Sequence, residues 1–153
     1  GKVSTAIETA KKEGMTPVIG GDSPDGKGIS PTIFDHVDPA SSLARDEVFG
    51  PVLAVMPVRS ADQALQLAND THYGLAASVF SKSLGPALRT ARDLKAGTVT
   101  VNCYGEGDIT TPFGGYRQSG FGGRDNSLAA HDQFTEMKTI WIDLEDKAAE
   151  DIN

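Results

Sequence analysis

The chain has 153 residues, which is enough for one domain with a hydrophobic core and short for a two-domain enzyme. Hydrophobic residues make up 39% and charged residues 23%, a balance that excludes a disordered tail, and no apolar stretch is long enough to span a bilayer. The net charge of −7 argues against a protein that binds nucleic-acid phosphates, so we expect a cytoplasmic protein without nucleic-acid or membrane partners.

The first element is predicted to be an amphipathic helix over residues 2–13. Its apolar positions recur at the spacing of one helix face: Val3, Ala6, Ile7 and Ala10. Gly14 is typical of a helix stop. Nothing before Lys2 offers a side-chain N-cap, so we expect the chain to begin inside a helix of a longer protein.

Three extended segments are predicted after this helix. They cover residues 16–20, 29–37 and 46–58, and the segment 21–28 is expected to be a loop. The third is interrupted by Gly50-Pro51 and by Pro57, which indicates two strand pieces joined at a kink.

Residues 60–102 alternate between predicted helices and strands. Ser60 and Gln63 form a capping box that begins a helix ending near Asn69. The inward face of this helix is expected to carry Ala61, Ala64, Leu65 and Ala68. Strands at 75–80 and 98–102 flank a second helix at 83–95. The alternation indicates an α/β fold with a mostly parallel sheet covered by helices.

The C-terminal part is predicted to contain a glycine-rich loop at 105–124, a short helix at 126–134 and a strand at 136–144. This strand would place Ile140 on one face and Trp141 on the other. A strand that is apolar on both faces needs a cover, so we expect a partner subunit or another domain to pair with it.

Cys103 is the only cysteine, which excludes an internal disulfide and a thiolate-rich zinc site. It follows a predicted strand, where nucleophiles are often displayed, but no histidine or lysine lies near it in sequence to activate it. We therefore favour a small buried structural residue over a nucleophile. His36, His72 and His131 are dispersed and lack metal-ligand spacing, so no metal is predicted.

The glycines between positions 114 and 123 do not match a phosphate-binding motif. No Gly-Lys-Ser/Thr sequence follows them, and Asp125 stands where a dinucleotide fingerprint requires its third glycine. We interpret these glycines as positions that need positive φ or a close crossing of two chain segments.

Glu47 and Phe49 form the most informative candidate site. Residues two apart on an extended strand point to the same face. Glu47 could then accept hydrogen bonds from a sugar diol while Phe49 packs beside a flat ring. By itself the pair is a weak signal, because either residue is equally compatible with a surface or a core position.

Four motifs resemble, in order and spacing, the C-terminal half of aldehyde dehydrogenases. They lie at 47–52 (EVFGPV), 73–80 (YGLAASVF), 97–102 (GTVTVN) and 112–120 (PFGGYRQSG). The resemblance covers nearly the whole chain. It implies the C-terminal part of the catalytic domain at 1–135, an oligomerisation strand at 136–145 and an acidic tail at 146–153.

The resemblance also implies a covalent mechanism. In this family a cysteine attacks the aldehyde, hydride passes to the nicotinamide of NAD or NADP, and a glutamate-activated water hydrolyses the thioester. The family's nucleophile, its general base and its main cofactor-binding domain lie upstream of the matching motifs. We therefore expect no catalytic residue in this chain, which would be inactive alone, and Cys103 matches no nucleophile of the family.

Individual roles follow from the same resemblance. Glu47 matches the glutamate that hydrogen-bonds the nicotinamide ribose, and Phe49 matches the aromatic residue that flanks this ribose. Phe113 matches a position in the substrate tunnel. Glu106 and Asp108 lie in the loop at the tunnel mouth, where they could attract an amine-bearing aldehyde, although a solvated loop explains them equally well.

Residues 107–115 and 134–142 most resemble bacterial γ-glutamyl-γ-aminobutyraldehyde dehydrogenases of putrescine degradation. In the family the final strand joins an intersubunit sheet, so we expect a homo-oligomer formed through residues 136–144. Two alternatives stay open: a free-standing, non-enzymatic dehydrogenase-like module that binds a partner subunit, and a cysteine enzyme that uses Cys103.

Overall fold

The computed structural model describes residues 1–22, 26, 28–105 and 107–143 of the chain. Its helices are α1 (Lys2–Lys12), α2 (Ser42–Arg45), α3 (Ala61–Asn69) and α4 (Leu84–Asp93), and two 3₁₀ segments cover Arg117–Ser119 and Leu128–Phe134. Its strands are β1 (Pro17–Ile19), β2 (Thr32–Phe34), β3 (Val52–Ala54), β4 (Ala76–Val79) and β5 (Thr98–Val101). None of the helices in these ranges is long and apolar enough to cross a bilayer.

The first sheet contains β1, β2 and β3 in that order. β2 runs parallel to β3, with Thr32 opposite Val52 and Phe34 opposite Ala54, whereas β1 is antiparallel to β2. One cluster of buried side chains joins α1, α2 and this sheet: Ile7, Ala10, Phe34, Val37 and Leu43. The predicted apolar face of the first helix therefore does contribute to a core.

The second sheet consists of β4 and β5, which run parallel from Ala76 opposite Thr98 to Val79 opposite Val101. Helix α4 forms the crossover between them, and its Ala87 is buried. Two of the three strand pairings among the described residues are parallel. The predicted mostly parallel α/β arrangement is confirmed.

Local signals at the ends of α1 and α3 behave largely as predicted. Gly14 has φ +90° just after α1, so it supplies the left-handed conformation that ends the helix. Ser60 Oγ accepts from Gln63 N at 3.1 Å, and Gln63 Oε1 accepts from the backbone N–H of Arg59, not of Ser60, at 2.8 Å. The return hydrogen bond of the capping box therefore comes from the residue before the N-cap, Arg59, in place of Ser60.

The predicted inward face of α3 is less buried than expected. Ala61 and Ala68 are exposed, and Ala64 and Leu65 are half-buried. Helix α4 packs against this helix but leaves both ends of the apolar face, Ala61 and Ala68, exposed.

The first of the two strand pieces predicted within 46–58 is wrong. Within 46–58 only β3 forms a ladder, because Phe49 has φ +52°, outside the extended region, and Pro51 lacks a backbone N–H. Residues 136–143 form no ladder with any described segment, so their pairing with a partner subunit or another domain stays a prediction. Leu144 and the predicted tail at 146–153 lie outside the described residues, as does part of the predicted loop at 21–28.

Candidate functional site

Helix α2 sets the place from which the Glu47 segment emerges. Ser41 caps this single turn by accepting from Ala44 N at 3.3 Å, and Leu43 anchors it in the core. Asp46 N closes the turn on the carbonyl of Ser42 at 2.9 Å. Glu47 therefore follows, after Asp46, a short helix that is itself fixed to the core.

Glu47 and Phe49 line one open cleft of about 620 Å³ beside α1. Glu47 is exposed, and no described residue donates a hydrogen bond to its carboxylate. Phe49 is 83% exposed. The two residues share a cleft as expected, but through a left-handed turn at Phe49 and not through the alternation of a strand. An open carboxylate beside an exposed ring suits a ligand that carries hydroxyl groups next to a flat ring.

A second open cleft, of about 580 Å³, also reaches Glu47. Its other walls include Asn69 and Thr71 at the end of α3, and Tyr104 after β5. Glu47 therefore lies on the edge between two clefts, one along α1 and one toward the second sheet.

Phe113 and Asp108 lie away from these two clefts. Phe113 is half-buried and forms an isolated antiparallel bridge with Asp125, with N···O distances of 2.8 and 2.7 Å. Neither Phe113 nor Asp108 lines either of the two clefts that contain Glu47. The described chain alone thus does not bring the proposed tunnel residues together with the proposed ribose residues.

The carboxylate of Asp108 shapes its own loop. It accepts hydrogen bonds from the hydroxyl of Thr110 and from Thr110 N, the latter at 2.7 Å. The Thr110 hydroxyl, followed by its backbone N–H, lowers the pKa of Asp108 below the ordinary 3.8. Asp108 is therefore anionic near neutral pH, and part of its hydrogen-bonding capacity is already used. Glu106 lies outside the described residues.

The glycines of the 105–124 loop permit close chain crossings, as predicted. A Cβ on Gly97 would overlap the carbonyl of Gly114, and a Cβ on Gly115 would overlap the carbonyl of Ser119. Gly122 adopts φ +115°. Backbone packs against backbone at these points, which only residues without a side chain allow.

Cys103 is exposed, so the interpretation as a buried residue is wrong. It lies just past the end of β5, where the chain leaves the sheet, and its carbonyl accepts from Thr100 Oγ1 at 2.8 Å. Among the described residues no histidine or lysine is hydrogen-bonded to its thiol. His36 contacts Asp35 at 3.1 Å on the surface, and the described part of the chain holds no cluster of metal-ligating side chains. The absence of a metal stays a prediction.

Sequence reasoning missed a group of contacts at the end of α3. Arg45 and Arg117 both donate to backbone carbonyls there, from 25 and 48 residues away in the chain. The only sequence signal was negative, because α3 carries no basic residue in its last turn to interact with these carbonyls.

Comparison with known proteins gives one family match. The model of the Aldehyde dehydrogenase family matches residues 1–140. Among curated relatives, an aminoacetaldehyde dehydrogenase of Pseudomonas aeruginosa is 54% identical over 142 residues, which are 93% of this chain and 29% of that protein. The NADP/NAD-dependent aldehyde dehydrogenase PuuC of Escherichia coli is 52% identical over 143 residues, which are 94% of this chain and 29% of PuuC.

Solved structures agree with the sequence relatives. An indole-3-acetaldehyde dehydrogenase in complex with NAD+ superimposes with a TM-score of 0.86 at 47% identity, over 94% of this chain and 30% of that one. The aldehyde dehydrogenase KauB from Pseudomonas aeruginosa gives a TM-score of 0.84 at 48% identity, over 92% of this chain and 29% of KauB. The chain thus spans slightly under a third of the length of these relatives.

Proposed function

This chain belongs to the aldehyde dehydrogenase family, and we propose that it is the C-terminal part of an enzyme that oxidises an aldehyde to a carboxylic acid with NAD+ or NADP+. The observation that carries the proposal is the open carboxylate of Glu47 beside the exposed ring of Phe49, on a cleft of about 620 Å³. The relatives that bind or use these cofactors, an NAD+ complex and an NADP/NAD-dependent enzyme, support the choice of cofactor.

Glu47 is the residue that would hold the nicotinamide ribose. Its carboxylate accepts hydrogen bonds from a pair of sugar hydroxyls, and charge-assisted bonds of this kind are stronger than neutral ones. Phe49 packs beside the same sugar, which excludes water from one side of it. When bound, the cofactor supplies the acceptor for the hydride that leaves the substrate.

The complete reaction consumes an aldehyde, NAD(P)+ and water and produces a carboxylate, NAD(P)H and two protons. The nucleophile and the general base belong to parts of the enzyme that the matched segment does not include, and Cys103 is neither. In this proposal the chain contributes the ribose contacts at Glu47 and Phe49 and a tunnel wall at Phe113. Residues 1–135 form this part of the catalytic domain in a cytoplasmic enzyme.

For the substrate we propose an aldehyde that carries an amine or its γ-glutamyl derivative, as in γ-glutamyl-γ-aminobutyraldehyde. Two relatives, an aminoacetaldehyde dehydrogenase and PuuC, support this class. The carboxylate of Asp108 carries the negative charge that would attract the amine, and the hydrogen bonds from Thr110 lower its pKa further below the ordinary 3.8. The test measures kcat/KM of the complete enzyme for two aldehydes of equal length, one that bears an amine and one that is neutral. A preference for the neutral one contradicts the substrate class and leaves the dehydrogenase proposal intact.

Residues 136–145 are proposed as the oligomerisation strand. Met137 and Trp141 are 99% and 90% exposed, and Ile140 and Ile142 are also largely exposed. Such a continuous apolar segment requires a cover. Removing residues 136–145 from the complete enzyme should convert oligomers to monomers in sedimentation velocity, and an unchanged assembly would reject this role.

Glu47→Gln in the complete enzyme tests the central assignment. The substitution keeps the shape and weakens the hydrogen bonds to the ribose, which should cost about 1.5–3 kcal/mol of cofactor affinity. We expect a KM for NAD+ or NADP+ that is about 10- to 100-fold higher. Glu8→Gln removes one carboxylate from the exposed face of α1 and serves as the matched control. An E47Q enzyme with the KM of the control would show that Glu47 does not bind the ribose.

A further inference from the structure

Three consecutive backbone carbonyls at the end of α3 accept hydrogen bonds from distant side chains. We call the carbonyls of Asn69, Asp70 and Thr71 the carbonyl cluster. Arg45 Nη1 donates to the Asp70 carbonyl at 2.7 Å, while its Nη2 lies 2.8 Å from the Asp70 carboxylate. Arg117 Nη1 donates to the carbonyls of Asn69, at 2.9 Å, and of Thr71. Because the last carbonyls of a helix have no intrahelical donors, the two arginines supply them.

The side chain of Asn69 ties the same helix end to the second sheet. Its Nδ2 donates to the Asp93 carbonyl at 3.0 Å, and its Oδ1 accepts from Lys95 N at 2.8 Å. The carbonyl cluster is therefore fixed to the segment that leads into β5. It offers Arg45 a rigid point of attachment across the cleft.

The segment that follows Arg45 has few anchors of its own. Within the described residues, residues 47–49 take part in no backbone or side-chain hydrogen bond. Of these three described residues, Val48 is the one that packs against the core cluster. The direction of the Glu47 side chain therefore depends on how the end of α2 is held.

Arg45 is the last residue of α2 and precedes Glu47 by two positions. Glu47 and the α3 end lie on the same cleft of about 580 Å³, and Arg45 connects the two. We propose that Arg45 is a positioning residue, which orients Glu47 for cofactor binding by attaching α2 to the carbonyl cluster. This inference rests on the proposed function, because it takes Glu47 as the carboxylate that binds the ribose.

The exposure of the Arg45–Asp70 ion pair lets an experiment distinguish a positioning role from a purely structural one. The Arg45 and Asp70 side chains are 38% and 61% exposed. Exposed ion pairs contribute little to folding stability because water and salt screen them. Removing the pair should therefore leave thermal unfolding almost unchanged, whereas a displaced Glu47 should raise the KM for the cofactor more than it lowers kcat.

The experiment uses the complete enzyme with R45A and R45K, and with R92A as the matched control. Arg92 contacts Asp93 on the surface, in an exposed ion pair that lines neither of the clefts containing Glu47. We expect R45A to raise the KM for NAD+ about threefold to tenfold, in the range of mutations that act through a neighbouring residue. R45K should fall between parent and R45A, because lysine cannot form the two-pronged contact of a guanidinium. R92A should match the parent.

A double variant shows whether Arg45 acts through Glu47. If it does, R45A should add nothing to the KM of E47Q, because the carboxylate that Arg45 orients is already neutral. A multiplicative increase in the double variant, or an R45A enzyme whose KM equals that of R92A, overturns the inference. If R45A fails to fold, R45K decides, and a KM equal to the parent's overturns the inference.

The two proposals fail in different ways. An E47Q enzyme with normal cofactor KM removes the ribose assignment whatever Arg45 does. A strong effect of E47Q together with no effect of R45A or R45K removes only the positioning role.

Discussion

Residues 1–58 and residues 104–143 both carry many apolar side chains but bury them very differently. The first region contains the core cluster of Ile7, Ala10, Phe34, Val37 and Leu43. In the second, Phe121, Leu128 and Trp141 are each at least 85% exposed, and Gly115 is the only buried residue among those described. An apolar sequence therefore does not say which surface will cover it, and the described residues leave most of the second region uncovered.

Truncating the core of the first region should have the largest effect. Phe34 is fully buried in β2, so Phe34→Ala leaves a cavity and should cost about 3–5 kcal/mol of unfolding free energy. Phe121→Ala, at a fully exposed ring, should change it by less than about 0.5 kcal/mol. Urea unfolding of the chain measures both. Equal losses would mean that the two regions are not stabilised differently.

Chain crossing, not a core, organises the second region, and Gly97→Ala tests this. The new Cβ would overlap the Gly114 carbonyl, so the β5 entry and the glycine-rich loop must separate, at a cost of about 1–3 kcal/mol. The matched control is Gly85→Ala inside α4, where the nearest atom is 3.7 Å away, and it should stabilise by about 0.5–1 kcal/mol. Limited proteolysis should also cut the G97A loop faster. A G97A chain as stable as G85A would refute the crossing.

The smallest expected effect is the pH response of the Asp108 loop. The folded pKa of Asp108 lies below its ordinary 3.8, because Thr110 donates to the charged form. The loop contact is therefore fully present above pH 3.8 and is lost as the pH falls through the lower folded value. The amide shift of Thr110 in NMR should report this transition. Asp108→Asn should abolish it, and a transition that persists in D108N belongs to another group.

Much of the fold could be predicted from residues close together in sequence. Ser60, Gln63 and Gly14 mark helix ends through contacts within four residues, and these signals hold in the structure to within one residue. The parallel sheet follows from strand and helix alternation. The strand at 136–144 was predicted from its apolar residues. A ladder also requires a second strand, and no described segment pairs with residues 136–143.

The candidate site could be predicted only in part. The motif at 47–52 pointed to Glu47 and Phe49, and the structure places both on one cleft. The geometry between them could not be read from the motif, because an aromatic residue with φ +52° is held by its surroundings and not by its own preference. Nor did the sequence show that the Asp108 carboxylate accepts hydrogen bonds from the hydroxyl and the backbone N–H of Thr110.

By itself, the sequence determined the family, the α/β class and the approximate limits of most helices and strands, because short-range spacing and motifs carry that information. Only the tertiary structure decided that Cys103 is exposed, that Ala61 and Ala68 of α3 are not buried and that Arg45 reaches Asp70 over 25 residues. Such contacts depend on which distant segments the fold brings within about 3 Å, the length of a hydrogen bond. No local pattern along the chain encodes that proximity.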